Sequence, residues 1–439
     1  MRLVAQLEEL LYHFQVRPDE ETLRLKGWRI FIHEMKSVAL GIKDNSPGSV
    51  YTPPTYREGE SGEVFLVWAD GRLSQARVQA KSAEVKDPWI EELRGWRQAA
   101  YEDPEGGRIV EPAPLPLAAV EDERLEKILA GEDEVLFAQL ERLLYEKPDK
   151  AKLQAQISAA WGYRHVRTST GLAVTYQESQ YGLSFSFDRL VGGGFAKRRL
   201  IEPEEWKDVW QNTLLHYEAL QEFGPAPGSK TAVILAPAVA EEMLGQYILP
   251  NFSGQNVLER RSAFTKERFE QKEGVFAPEV SLVVDPLQPF EWGSYLVTPE
   301  GVPAERTVLV RKGALASPLL TVKDAGRWGA SPTALPQGTS GLYLSHAREE
   351  DWERALQGVD DGVLVLSVLG LHTQDSVSGD YSLSAPQSLR ILNGKFAGRV
   401  DVKVNGNFFK DLAHPALRMA KTQRNVVPYL WVQSGMQSL

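Results

Sequence analysis

The stretch GPAPGSK, from Gly224 to Lys230, limits the possible folds more than any other part of this sequence. Its two prolines and two glycines interrupt every helical and strand-like period around them, because proline removes a backbone donor and glycine loosens the chain. A chain of 439 residues also exceeds the size at which one hydrophobic core usually stops growing. The sequence therefore predicts two domains, residues 1–223 and residues 231–439.

The first half of the chain mixes helical and strand-like patterns. The N-terminal stretch MRLVAQLEELLYHFQ predicts a helix, because its apolar residues recur at helical spacing: Leu3, Leu7, Leu10, Leu11 and Phe14. A long amphipathic helix is predicted from Pro203, with these residues on one face: Trp206, Val209, Trp210, Leu214 and Tyr217. In the second half, TAVILA predicts a strand that leads into a helix near Pro237, followed mostly by short strands and turns. Strands and helices do not alternate regularly, so the predicted class is α+β, with a strand-rich, largely antiparallel C-terminal domain.

Three short motifs favour turns or loops. Asp70-Gly71 lies between two strand-like runs and predicts a type I′ hairpin. The run Gly192–Gly194 is followed by Phe-Ala-Lys rather than the Lys-Ser/Thr of a phosphate-binding loop, which favours a flexible hairpin turn. The basic run Lys197–Arg199 is interpreted as a solvated loop.

The composition excludes several classes of function. A formal net charge of −10 argues against a nucleic-acid partner, since phosphate binding needs a clustered positive surface. The absence of cysteine excludes disulfides, thiolate nucleophiles and cysteine-ligated zinc. The N-terminus has no signal-peptide pattern, and the longest apolar run, residues 362–371, is about half a membrane span. We therefore expect a cytoplasmic protein without a membrane partner.

The histidines do not form a recognisable metal motif. A helical zinc-protease site needs two histidines about one turn apart with a glutamate beside them. No such pair occurs among the seven histidines, His13, His33, His165, His216, His346, His372 and His414. Convergence of three of them from distant parts of the chain stays open.

The segment LGLHTQDSVSGDYSLS, Leu369 to Ser384, is the densest cluster of potentially catalytic residues. His372 could act as a base, Asp375 or Asp380 could orient it, and Ser376 or Ser378 could be the nucleophile. Residues this close in sequence rarely align in that way, because strand neighbours point to opposite faces. The alternative is a loop that lines a groove or fixes a turn, with Gly379-Asp380 forming a bend.

The C-terminal half resembles the TldD/PmbA (TldE) family, once called modulators of DNA gyrase. The resemblance rests on ordered landmarks between Thr231 and Leu412: AVILAPAVAEEMLGQYI, the segment Thr298–Thr321, GTSGLYLSH, and the block Ser378–Ser382 followed by NGK and GN. It implies a subunit of a cytoplasmic metalloprotease that acts on small or unfolded polypeptides. The acidic chain gives no support for direct contact with DNA.

Departures from the family pattern decide which type of subunit is implied. In the TldD-type subunit, the helix after the Leu-Ala-Pro strand end carries His-Glu-x-x-x-His, and a cysteine near the C-terminus completes the metal shell. Here Gly245, Gln246 and Pro250 stand at the positions of His, Glu and His, and there is no cysteine. Proline at position 250 is also expected to end the helix. The resemblance thus implies the metal-free TldE/PmbA type.

The resemblance and the departures from the family pattern favour one main hypothesis and leave two alternatives open. The main hypothesis is a subunit that is not catalytic on its own, has no cofactor, and pairs with a TldD-like chain that carries zinc, or with itself. An extended peptide substrate would bind a groove of strands. The candidate groove or interface residues are His372, Thr373, Asp375, Ser378, Gly379 and Asp380. The alternatives are a homo-oligomeric, non-proteolytic scaffold protein and a metal-free hydrolase that uses His372.

Overall fold

The computed structural model describes residues 2–48, 53–80, 89–422 and 427–438. The fold is α+β, as predicted from the sequence, and its sheets are largely antiparallel. Residues 224–230 contain neither helix nor strand and connect a helix of the first half to a strand of the second half. Within the described ranges, no helix is both long enough and apolar enough to cross a membrane.

The first half is built around one antiparallel sheet with the strand order β4-β3-β1-β5-β6-β7, with β2 paired to the end of β1. Even-numbered residues of β1 such as Ile30, Ile32 and Leu40 point to one face and are buried under helices, as the two-residue period of a strand requires. The strands are β1 (Leu25–Lys43), β2 (Ser46–Pro47), β3 (Thr55–Trp68), β4 (Leu73–Gln79), β5 (Leu153–Thr168), β6 (Ala173–Phe187) and β7 (Val191–Lys197).

Five helices cover the apolar face of this sheet. The N-terminal helix packs on one part of the face through Leu3, Leu7 and Leu11, and the predicted long helix packs on another part through Trp206 and Trp210. The helices are α1 (Arg2–Val16), α2 (Ile90–Gln98), α3 (Glu123–Leu129), α4 (Glu134–Glu146) and α5 (Pro203–Ala219), and a 3-10 turn spans Glu21–Leu23.

The second half contains two sheets. The larger has the order β13-β17-β18-β8-β14-β15-β16-β19, and the smaller has the order β11-β10-β9-β12. Two neighbouring pairs, β8 with β14 and β13 with β17, are parallel. The strands are β8 (Ala232–Leu235), β9 (Val280–Val284), β10 (Thr307–Arg311), β11 (Ala314–Leu315), β12 (Leu342–His346), β13 (Glu350–Asp351), β14 (Asp361–Val365), β15 (Asp380–Leu392), β16 (Lys395–Asn407), β17 (Arg418–Lys421), β18 (Tyr429–Val432) and β19 (Gly435–Ser438).

The helices of the second half are short and lie around these sheets. They share a core of buried apolar residues with both sheets, which includes Val239, Leu244, Tyr247 and Phe252. They are α6 (Pro237–Met243), α7 (Leu249–Phe252), α8 (Gly254–Leu258), α9 (Lys266–Glu270), α10 (Val322–Trp328), α11 (Trp352–Gln357) and α12 (Phe408–Ala413), with a π turn at Leu244–Ile248 and a 3-10 turn at Leu371–Thr373.

The predicted hairpin between β3 and β4 is present, but its turn type differs from the prediction. The N–H of Gly71 donates to the carbonyl of Trp68, and Gly71 has a φ of +84°, whereas Asp70 does not have a positive φ. A type I′ turn needs positive φ at both central residues. The loop is instead a type I turn closed by a left-handed glycine, the usual three-residue hairpin.

The glycine run and the basic run were also assigned wrongly from the sequence. Gly192–Gly194 lie inside β7, paired with residues 184–186 of β6, and the turn is formed by Asp188 and Arg189, both with positive φ. A Cβ on Gly193 would come within 2.8 Å of side-chain atoms of Val209 and Thr213 on α5. The glycines therefore allow α5 to approach the sheet closely.

The basic run is not a solvated loop. Arg198 is fully buried, with an exposed fraction of 0%, and its Nη1 donates to Glu178. Lys197 pairs with Glu291 of the second half, and Arg199 pairs with Glu205 at the start of α5. Charge alone suggested solvent exposure, but each of the three basic side chains is paired with a carboxylate outside the run.

Candidate functional site

The helical segment after β8 carries the positions at which the family pattern differs in this chain. It consists of α6, the π turn, α7 and α8, with Gly245 and Gln246 in the π turn and Pro250 in the first turn of α7. The expectation that Pro250 ends the helix was wrong. Proline is tolerated in the first turn of a helix because its missing N–H has no partner there, and the preceding π turn lets α7 begin at that point.

The segment 369–380, here called the hydroxyl loop, leaves β14 and enters β15. Most of its polar side chains face solvent, including His372, Thr373, Asp375, Ser378 and Asp380. The chain bends at Gly370 and Gly379, which have φ values of +90° and +74°. A Cβ on Gly379 would lie 2.5 Å from a ring carbon of Phe409, so this position is restricted to glycine by both conformation and space.

The hydroxyl loop is attached to the π turn and α7 by three hydrogen bonds from side chains to backbone carbonyls. Gln246 Nε2 donates to the carbonyl of Gln374 at 2.9 Å, and Asn251 Nδ2 donates to the carbonyl of Ser376 at 2.8 Å. The hydroxyl of Tyr247 donates to the carbonyl of Asp380 at 2.9 Å. Burial raises the pKa of Tyr247 to about 12, and the nearby charges of Asp380 and Asp375 add to this, so it stays a donor at neutral pH.

A further hydrogen-bond donor holds the far end of the same loop. Asn407, at the end of β16, donates through Nδ2 to the carbonyl of Ser378 at 2.8 Å and to Oδ1 of Asp380 at 2.7 Å. Sequence reasoning singled out Gln246 only as a missing glutamate, and it missed Tyr247, Asn251 and Asn407. Asn251 lies within an apolar helical run, and a buried amide needs hydrogen-bond partners. This feature of the sequence could have indicated that Asn251 holds another segment.

The surroundings of the π turn do not match a histidine-based metal site. Gly245 contributes no ligand, and a Cβ placed on it would meet Thr339 Cγ2 at 3.2 Å. The amide of Gln246 is engaged with the hydroxyl loop, and the hydroxyl of Thr339 donates to Glu241 at 2.7 Å. Across the described ranges, three or more His, Asp or Glu side chains nowhere come together in a way that could hold a metal ion. These residues do not fit the imidazole and carboxylate shell of a catalytic zinc.

The geometry of the hydroxyl loop does not assemble a nucleophile with a base. The hydroxyl of Ser378 accepts the N–H of Asp380 at 3.1 Å and donates to the carbonyl of Asp375 at 3.3 Å. A carboxylate oxygen of Asp375 accepts the N–H of Val377 at 2.9 Å. Both side chains stabilise local turns in the manner of Asx and Ser/Thr turns. Serine activation would require a hydrogen bond from Ser378 to His372, which the described residues do not form.

Two surface cavities lie elsewhere, on the N-terminal sheet. The larger, about 580 Å³, is lined by residues of β1, β3, β5 and β6, among them Gly41, Gln156 and Ser184. The smaller, about 220 Å³, lies between the end of β1 and α4. Neither of these two cavities is lined by the hydroxyl loop.

Comparisons with known proteins identify the second half of the chain. Residues 228–436 match the PmbA/TldA metallopeptidase C-terminal domain. This second half of the chain belongs to the TldD/PmbA family. A metalloprotease of Synechocystis sp. is 30% identical over 147 residues, which cover 31% of this chain and 31% of that protein. The chain spans less than two thirds of the length of the curated relatives that it matches.

Two solved structures extend the likeness in fold to the whole chain. The crystal structure of TldE from Thermococcus kodakarensis superimposes with a TM-score of 0.77 at 17% identity, covering 98% of this chain and 99% of that one. A proposed modulator of DNA gyrase from Bacteroides thetaiotaomicron gives a TM-score of 0.76 at 15% identity, with the same coverage. At this level of identity the likeness shows the fold alone. The domain match and the relatives named metalloproteases make the second half of the chain metalloprotease-like.

Proposed function

We propose that this chain is the TldE/PmbA-type subunit of a cytoplasmic metalloprotease complex that processes small or unfolded polypeptides. The observation that carries the proposal is the hydrogen bond from Gln246 to the hydroxyl loop. Where a TldD-type chain would carry a glutamate that activates water, this chain has an amide that holds a loop in place. The neighbouring Gly245 and Pro250, together with the absence of cysteine, support the same conclusion.

In this proposal the catalytic zinc belongs to a TldD-like partner, and this chain supplies structure and peptide binding. The hydroxyl loop presents Thr373, Ser378 and two carboxylates to solvent on a backbone that is fixed by buried donors. Such a surface can contact an extended peptide or the partner chain through polar groups without requiring a particular peptide sequence. Pairing of two copies of this chain is the alternative assembly.

Reconstitution with a TldD-like chain tests the proposal. The purified chain alone is expected to contain no stoichiometric zinc and to show no peptidase activity on an unfolded polypeptide. Addition of a TldD-like chain should give a stable complex in which zinc and activity appear together. Robust activity of the isolated chain would overturn the proposal.

A pair of variants tests the role of the hydroxyl loop in that complex. Replacing both His372 and Asp375 by Ala changes two exposed side chains and should weaken assembly or raise the KM for peptide, while the kcat of the complex that forms changes little. The matched control is Glu353→Ala, an exposed carboxylate on α11. Equal behaviour of the double variant and the control would show that the loop contacts neither peptide nor partner.

A further inference from the structure

A buried ionic cluster in the N-terminal sheet contains two arginines and one shared carboxylate. Arg164 on β5 and Arg198 after β7 are 4% and 0% exposed, and Glu178 on β6 is 0% exposed. Arg164 Nη2 donates to Glu178 Oε1 at 3.0 Å, and Arg198 Nη1 donates to Oε2 at 3.1 Å. Two guanidinium groups therefore share one carboxylate, although buried charges are normally balanced.

The donors of these arginines are only partly used. Arg198 Nε and Nη2 are buried and have no hydrogen-bond partner among the described residues, and neither has Arg164 Nε. The Nε–H and Nη2–H groups of a guanidinium lie along one edge and together bind an anion side-on. The Nε–Nη2 edge of the fully buried Arg198 guanidinium is thus free to bind an anion. Unpartnered buried donors are rare and costly, which calls for a ligand at this position.

The cluster lies where the two halves of the chain meet. The backbone N–H of Arg198 donates to the carbonyl of Phe290 in the second half at 2.8 Å, and the N–H of Phe290 donates to Ala119. His33 faces the cluster from β1, with Nδ1 3.3 Å from Glu178 Oε1 and a side chain that is 32% exposed. The ring of Phe31 lies 5.4 Å from the guanidinium of Arg164.

The carboxylate of Glu178 stays ionised, and so stays paired with the two arginines, when the pH falls moderately. Burial opposes its ionisation, but the hydrogen bond with His33 and the charges of Arg164 and Arg198 outweigh burial and lower the pKa of Glu178 to about 2. The carboxylate is therefore already committed to the two arginines, and the free edge of Arg198 needs a different acceptor.

We propose that the free edge of Arg198 and Nε of Arg164 bind a small monovalent anion of the size of chloride. Complete burial excludes a large ligand, and one negative charge balances the second guanidinium. Because Arg198 also holds Phe290 through its backbone, the bound anion stabilises the contact between the N-terminal sheet and the second half. The anion is thus a structural ligand, separate from the hydroxyl loop and from proteolysis.

Halide dependence of the full chain tests this site. The midpoint of thermal unfolding should rise saturably, by about 2 °C or more, when sodium gluconate is replaced by sodium bromide at equal ionic strength. Crystals grown with bromide should show an anomalous peak beside Arg198. Equal midpoints in both salts, with water or no anomalous peak at that position, would overturn the proposal.

Variants separate this site from general salt effects. Arg198→Gln should abolish the halide-dependent rise, and Glu178→Gln should enlarge it, because the competing carboxylate is gone. Arg199→Gln removes the adjacent arginine, which pairs with Glu205, and should leave the rise unchanged. If the cluster variants do not fold, the bromide measurements on the unaltered chain still decide the question.

Discussion

At the scale of single residues, Asn251 is a buried side chain that connects the hydroxyl loop to two other segments of the candidate site. It is fully buried, donates to the carbonyls of Tyr247 and Ser376, and accepts the N–H of Ala263 at 2.6 Å. One amide therefore connects α7, the hydroxyl loop and the segment before α9. An amide is suited to this position because it supplies both donors and an acceptor.

Substitution of Asn251 should destabilise the fold and free the hydroxyl loop. Asn251→Ala leaves the N–H of Ala263 and the carbonyl of Ser376 without their partner, so we expect a loss of about 2–4 kcal/mol in the free energy of unfolding. Gln246→Ala removes one half-buried hydrogen bond and should cost about 1 kcal/mol or less. Urea unfolding measures both, and hydrogen exchange of residues 369–380 should accelerate in both variants. Equal stability losses would contradict this assignment.

At the scale of elements, the packing of α5 on the N-terminal sheet depends on the absence of a side chain at Gly193. Gly193→Ala places a Cβ about 2.8 Å from Thr213 Oγ1 and from Val209 Cγ1, closer than real contacts allow. Either α5 or β7 must shift, and overpacking of this kind costs about 1–3 kcal/mol. Thermal or urea unfolding checks the loss.

Gly59→Ala provides the control for the glycine prediction. Gly59 also lies in a strand, β3, but a Cβ there meets no atom of the described residues within 4 Å, and its φ is not in the left-handed region. Alanine should be neutral or slightly stabilising at this site, since it restricts the unfolded chain. If both variants lose the same stability, loss of glycine in a strand, rather than contact with α5, explains the effect.

The fold could be predicted correctly from the sequence where a local pattern determines the structure. The face of α5, the strand before Pro237 and the α+β class follow from periodicity and breakers, and the structure confirms them. The glycine run and Arg198 were misassigned because their partners lie about 20 residues away in the sequence, on other elements. Gly193 lies against Thr213 of α5, and Arg198 pairs with Glu178 of β6. The attachment of the hydroxyl loop to Gln246 joins residues 128 positions apart, and no local pattern encodes such a contact.

At the scale of the whole molecule, α5 contacts both halves of the chain, and His216 lies at that contact. Its ring is 5.3 Å from the ring of Phe396 on β16, at an interplanar angle of 77°. The side chain is buried, and its Nε2 has no hydrogen-bond partner within the part of the chain that the structure describes. Burial lowers the pKa of His216 to about 4, so the imidazole is neutral where the two halves meet.

Acidification should therefore lower the free energy of unfolding of the whole molecule, because His216 is protonated more readily in the unfolded chain. In the unfolded chain the imidazole binds a proton near pH 6.5, whereas in the folded chain it does so only near pH 4, so the unfolded state binds more protons between these values. Stability is unaffected by this group above about pH 7 and falls by about 1.4 kcal/mol per pH unit between about 6.5 and 4, to a total of about 3 kcal/mol. Urea unfolding from pH 7 to pH 4 measures this slope.

The difference between variants isolates the contribution of His216 from that of the carboxylates. His216→Met keeps an apolar side chain against Phe396 but cannot bind the proton, so its stability should fall less steeply than that of the unaltered chain over the same range. His13→Gln removes a partly exposed imidazole near Asp19 and should keep the steep slope. Parallel curves for His216→Met and the unaltered chain would show that protonation of His216 is not the cause of the loss of stability in acid.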